Sequence, residues 1–131
     1  MKIGIDYGGV IHYDPEGWIV TIKNLIKARH EVFIVSHCLA DGKDHLTREY
    51  LCEKSGAINL TFYDIMDEPG IRIRKSDLVK AHGIELFIDD SPERCWVVRE
   101  NNKDCGILHF KEWNWGQCKF VLDCIGNARI E

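Results

Sequence analysis

The 131-residue chain lacks a large excess of charge of either sign: 17 Lys and Arg against 21 Asp and Glu leave a formal net charge of −4. Without a broad positive field, general affinity for nucleic-acid phosphates is not expected. The sequence also lacks any apolar run approaching a membrane span, so no membrane partner is expected. Its first apolar stretch is short and broken by Asp6, which is not the pattern of a secretory signal. Close cysteine pairs are missing as well. Cys38, Cys52, Cys95, Cys105, Cys118 and Cys124 are scattered along the chain, which favours reduced thiols and a cytoplasmic setting over a disulfide framework. The grouping Cys105, His109, Cys118 and Cys124 has no pair at the spacing structural zinc sites use. Repeats and low-complexity segments are absent, and a composition 45% hydrophobic and 29% charged does not suit a disordered chain. The length fits one domain spanning residues 1–131.

What is present alternates between two periods. Lys2 to Asp6 reads as a buried strand running into Gly8-Gly9, and Trp18, Ile19, Ile22, Leu25 and Ile26 recur at helical spacing. Val32 to Val35 is β-branched and aromatic, too short for a helix, and stops at Ser36-His37. A helix is expected around Asp44 to Glu53, a strand from Asn59 to Tyr63, and a loop from Asp64 to Arg74. Ser76 is the expected cap of a short helix through Ala81, with Gly83 ending it, before a strand from Ile84 to Ile88. Ser91-Pro92-Glu93 combines a cap, a first-turn proline and an acid, which starts another helix. Gly106 to Phe110 supplies a fifth strand, and Phe120 to Ile125 belongs to a final helix. Apolar strands alternating with helices imply an α/β, three-layer, Rossmann-like fold around a mainly parallel five-stranded sheet.

In such a sheet, ligands bind beyond the carboxyl ends of the strands. Asp6, Ser36, Lys75 and the pair Asp89-Asp90 each fall at a strand end or at the start of a following helix. Singly, each has an ordinary explanation: Asp6 caps a turn, Ser36 caps a helix, Lys75 is solvated and the acid pair closes a strand. Their order is more informative. A carboxylate follows the first strand, a hydroxyl the second, a lysine precedes a helix, and paired carboxylates follow the fourth strand.

That order resembles the haloacid dehalogenase-like superfamily, through Ile3-Gly4-Ile5-Asp6-Tyr7-Gly8-Gly9-Val10, Val32-Phe33-Ile34-Val35-Ser36, Lys75, and Leu86-Phe87-Ile88-Asp89-Asp90. Within it, the segment from Lys75 to Glu93 looks most like small nucleotidase-type members. The resemblance implies a phosphohydrolase in which Asp6 attacks phosphorus and water then hydrolyses an aspartyl-phosphate. It further implies Mg2+ held by Asp6, the Gly8 carbonyl and Asp89, with Asp90 in the outer shell. Lys75 would pair with the nucleophile and the transferred oxygens, while Ser36 and the amides near Gly8 and Gly9 would donate to the phosphoryl group.

Position 8 departs from the pattern. Many family phosphatases carry an aspartate there that protonates the leaving group, a contribution of about two to four orders of magnitude; here it is Gly8. Three outcomes are open: His12, Asp14 or His37 substitutes, the substrate has a good leaving group, or the domain is a degenerate member that binds phosphorylated ligands with little turnover. The intervals from 6 to 36 and from 36 to 75, 30 and 39 residues, are filled by core elements, so no cap domain is expected. An open site suits a bulky or macromolecular phosphorylated substrate, or capping by another subunit of an oligomer. Trp113 and Trp115 either rim the site or anchor the final helix, the latter being the expectation. A response-regulator receiver would place its acid pair after the first strand and its lysine after the last, the reverse of the order here, and the Gly-rich dinucleotide fingerprint is absent.

Overall fold

The computed structural model describes residues 1–37, 42–62 and 74–127. Five strands, β1 (Lys2–Asp6), β2 (Glu31–His37), β3 (Ile58–Phe62), β4 (Leu86–Asp89) and β5 (Gly106–His109), form one parallel sheet in the order β3-β2-β1-β4-β5. Helices α1 (Pro15–Lys27), α2 (Gly42–Ser55), α3 (Lys75–Ala81), α4 (Pro92–Asn101) and α5 (Trp115–Asn127) cover it. Short 3-10 turns at Ile11–Tyr13 and Glu112–Asn114 precede α1 and α5. The chain is therefore the expected three-layer Rossmann-like α/β fold, with every strand pairing parallel.

Side-chain alternation along the strands divides the core into two layers. Ile3, Ile5, Val32, Ile34, Leu86 and Ile88 pack with Trp18, Leu51 and Leu122, on the side of α1, α2 and α5. Phe33, Val35 and Phe87 pack with Leu78, Val79 and Val98, on the side of α3 and α4. The grouping of α1 with α2 follows from parallel crossovers of one hand; α5, after the last strand, joins them by packing against α1. Cys118 belongs to the first layer and Cys105 to the second, so the sheet separates them and they share no ion.

Several caps match the sequence pattern. Asp14 accepts from the Gly17 amide ahead of Pro15, and Ser91 accepts from the Arg94 amide ahead of Pro92. Gly83, at φ +63°, follows the end of α3 as a left-handed terminator. Ser76 is not the cap of α3, however. The helix begins one residue before it, at Lys75, with Arg74 as N-cap and the Asp77 carboxylate accepting from the Arg74 amide. An acid at N3 satisfies an otherwise orphaned donor there, so no hydroxyl is needed. Phe120 to Ile125 belong to the final helix as expected; it begins at Trp115, whose ring packs on Trp18, 4.5 Å between centroids, and anchors its first turn. Most of the loop expected from Asp64 to Arg74 lies outside the described residues, as does Tyr63.

Among the described residues no helix is long and apolar enough to cross a membrane.

Candidate functional site

The strand order reverses direction at β1: β2 and β3 lie to one side of it, β4 and β5 to the other. Open parallel sheets carry their ligand crevice at this switch point, because the loops leaving the two central strands diverge there. Asp6 ends β1 and Asp89 ends β4, the two strands that meet at the switch. Both side chains lean toward the α3–α4 layer, since Asp6 alternates with Ile5 and Asp89 with Ile88. Lys75, the first residue of α3, reaches them from that layer.

Its ammonium Nζ lies 3.0 Å from Asp6 Oδ1 and 3.1 Å from Asp89 Oδ2, and 4.9 Å from the centroid of the Phe62 ring. All four residues are buried. Lys80, five residues further on at the other end of α3, instead lines a cavity near the amino ends of the strands with Gly83, Glu85 and Lys103. The choice of Lys75 over Lys80 thus agrees with the geometry.

Asp90 completes a cluster in which one carboxylate oxygen each from Asp6, Asp89 and Asp90 lies within 4.8 Å of the others. The Asp90 carboxylate is lodged against Gly9, which sits at φ +75°; a Cβ at that glycine would meet Asp90 Oδ2 at 1.9 Å. Glycine is therefore required twice, by the left-handed backbone and by the close approach. Gly8 differs: a Cβ there would find nothing within 4 Å. Asp89 Oδ1 accepts from the Ser91 amide, and Asp90's carbonyl accepts from His109 Nε2 at 3.0 Å. These bonds fix the loop after β4 on the rim of the crevice.

Crowding of acids controls the electrostatics. Burial pushes the Asp6 carboxyl from its ordinary 3.8 up to about 7, opposed by Lys75 and reinforced by the charges of Asp89 and Asp90. Asp89 is raised for the same first reason, with Lys75 and the Ser91 amide pulling the other way. For Lys75, burial works against the ammonium, but attraction to Asp6 and then Asp89 outweighs it and holds the group above the usual lysine range. Three carboxylates with one ammonium leave an excess of negative charge when ionised. The donor set is all oxygen, hard and closely spaced, which is the kind a small divalent cation takes.

Cys95 lies beneath this cluster, its thiol donating to the Asp89 carbonyl at 3.6 Å. Burial, and then the charge of Asp89, push that thiol up to about 11, so it is an inert packing group.

The structure does not bring Ser36 into the cluster. Asp6 pairs in register with Val35, so the next residue of β2 faces the opposite layer. There the Ser36 hydroxyl donates to Asn59 Oδ1 at 3.0 Å and accepts from the guanidinium of Arg48, a buried residue of α2. A hydroxyl has one proton to give, and in this arrangement Asn59 receives it. Neither Arg48 nor Asn59 was singled out by the sequence reading. Strand parity was the available signal for the turn of Ser36 away from Asp6.

Among the residues considered as a substitute acid, Asp14 is occupied as the α1 cap. His37 packs edge-on against Phe62 at 5.0 Å between centroids, and the side chain of His12 lies outside the described ones. Trp113 is 82% exposed, whereas the Trp115 ring packs against Trp18 and Phe110. Trp115 is therefore the anchor of the last helix, as expected, and Trp113 is free of the core.

No family model matches the chain, and no curated protein matches it. Among solved structures, it is similar to an uncharacterized protein from Corynebacterium glutamicum, with a TM-score of 0.66 and 16% sequence identity, over 99% of this chain and 97% of that one. At that identity the likeness speaks for the fold alone.

Proposed function

We propose that the chain is a magnesium-dependent phosphohydrolase of the haloacid dehalogenase-like kind, with Asp6 as nucleophile. The observation that supports this best is the Lys75 ammonium shared between Asp6 and Asp89 at the switch point of the sheet. Three convergent carboxylates exceed what a structural ion pair needs, and their close spacing suits a small divalent cation; in this reading Mg2+ is held by Asp6, Asp89 and the Gly8 carbonyl, with Asp90 in the outer shell. When bound, the ion would neutralise charge on the phosphate and favour the ionised form of Asp6.

In the proposed reaction an Asp6 carboxylate oxygen bonds to phosphorus as the ester oxygen departs with the bonding electron pair. Water then attacks the phosphorus of the aspartyl-phosphate, releasing inorganic phosphate and restoring the carboxylate. Lys75 balances charge on Asp6 and on the transferred oxygens. The turn amides of Gly8 and Gly9 are the proposed phosphoryl donors. Ser36 is not among them, because it faces the opposite layer of the sheet, where Asn59 and Arg48 hold its hydroxyl. The substrate is a phosphorylated molecule whose bulk, macromolecular or small, projects from a crevice without a cap domain, within a cytoplasmic protein.

A second reading is favoured by Gly8: a domain that binds phosphorylated ligands and scarcely turns them over. Hydrolysis of a nitrophenyl phosphate with magnesium, for the parent and for Asp6→Asn, decides between them. Turnover that disappears in Asp6→Asn supports the enzyme. Binding of vanadate or phosphate without turnover leaves the binder, and equal rates in both proteins overturn the assignment of Asp6.

A further inference from the structure

On the opposite side of the Asp89 backbone from Lys75 lies a second concave site, formed by the first-layer aromatic residues at the carboxyl rim of the sheet. Tyr13, Asp14, Trp18, Phe110 and Trp115 enclose a cavity of about 130 Å³. Trp18 and Phe110 are fully buried and form its floor, with ring centroids 6.1 Å apart; Tyr13, 53% exposed, and Trp115 stand at its sides, each within 6.5 Å of the Phe110 centroid. The rings are mutually tilted by 30° to 66°, so the cavity is a box and not a slot for stacking a flat ring. Among the described residues its one charged wall is the Asp14 carboxylate.

We propose that this pocket binds an organic ammonium group, of the alkylammonium or trimethylammonium type. Aromatic faces carry negative potential, and a cation within about 6 Å of a ring centroid is attracted to it, more strongly when desolvated. The carboxylate has the same sign, and among the described residues no Lys, Arg or His lines the cavity. An anion is repelled on both counts, and a neutral apolar group makes no use of Asp14. The volume falls below the roughly 300–1,000 Å³ of sites that enclose a drug-sized ligand, so it takes a head group and leaves the rest of the molecule outside.

The Phe110 amide donates to the Asp89 carbonyl at 2.9 Å, so the pocket floor hangs from the strand that carries Asp89, while the pocket itself opens on the other face of the sheet from the carboxylates. The pocket is therefore a site separate from the carboxylate cluster.

Fluorescence of the buried tryptophan gives the test, using choline and its uncharged isostere 3,3-dimethylbutan-1-ol on the intact protein. Choline is expected to quench saturably and to bind roughly tenfold or more tighter than the isostere, the size of a desolvated cation–π preference. Asp14→Asn keeps a competent helix cap and is expected to lose much of that preference; Tyr13→Leu, at an exposed position, is expected to weaken choline selectively. Equal binding of the two probes, or no saturable change with choline, overturns the pocket assignment. Choline binding needs no chemistry at Asp6. If choline binds as expected while no phosphate ester is hydrolysed, the pocket stands and the phosphohydrolase reading falls.

Discussion

Replacing Asp6 by asparagine removes one charge from the cluster at almost constant volume, and its effect on stability follows from the elevated carboxyl. The folded protein holds a proton on Asp6 up to about pH 7, the unfolded chain only to about 3.8. Between those values the folded state binds more protons, so stability falls as pH rises, and the loss is complete above pH 7. The gap of roughly three pH units corresponds to about 4 kcal/mol at 1.36 kcal/mol per unit, and about two-fifths of that is already incurred at pH 5. Asp6→Asn escapes this loss. In a chelator, urea unfolding should therefore show the variant gaining on the parent by about 2.5 kcal/mol between pH 5 and pH 8. Any fixed difference in hydrogen bonding cancels in that comparison. A parent-to-variant difference that is flat with pH, or that shrinks toward pH 8, refutes the reasoning, because burial and acid crowding would then not govern Asp6. Magnesium should reverse the order at pH 8 by stabilising the parent alone; failure of that arm alone removes the metal and leaves the linkage intact.

Lys75→Met should cost about 3–5 kcal/mol at neutral pH without metal, since it strands two buried carboxylates, while Lys80→Met should change denaturation midpoints little; equal losses would place the two lysines wrongly. Gly9→Ala should destabilise the fold and displace Asp90, because its Cβ would fall 1.9 Å from Asp90 Oδ2 at a backbone φ of +75°; unchanged unfolding and unchanged magnesium binding would show that the loop relaxes freely. Gly8→Asp should fold like the parent, given the open space around that position, and on the phosphohydrolase reading it should raise turnover of alkyl phosphates relative to nitrophenyl phosphate by supplying the missing acid. A parent that already cleaves both esters equally fast, with chemistry limiting, would point to a substitute acid elsewhere.

Much of this architecture could be read from strand ends. Asp6 and Asp89 were legible because both terminate apolar runs that can only be buried strands, and the switch point between them follows from parallel connectivity. Lys75 was legible as a residue but not as the first of α3, since the capping role of Asp77 toward Arg74 competes with the more familiar hydroxyl at Ser76. The orientation of Ser36 was available in principle. Alternation along β2 turns it away whenever Val35 faces Asp6, yet register between strands separated by a helix is not written in either strand alone. Arg48 and Asn59 were not legible at all: their meeting at Ser36 needs α2 laid over β2 and β3, a tertiary arrangement without a local pattern. The start of α5 was hidden because its exposed Phe120 and its two glycines blur the helical period, while the contact that fixes it, Trp115 on Trp18, spans most of the chain.

The adjacency of β1 and β4 has a kinetic side. Asp6 and Asp89 are far apart in sequence, and pairing their strands closes a long loop that must form before the sheet is whole. That closure brings ionised carboxylates together in a dry crevice, a repulsion that should raise the barrier. Lys75 lies only 14 residues from Asp89, so the unit running from α3 through β4 can assemble its own ion pair first and present a neutralised edge to β1. Folding should accordingly be faster at mildly acidic pH, where Asp6, ionised in the unfolded chain, takes up a proton as the crevice closes around it, and the lysine should speed closure of the sheet as well as hold it shut.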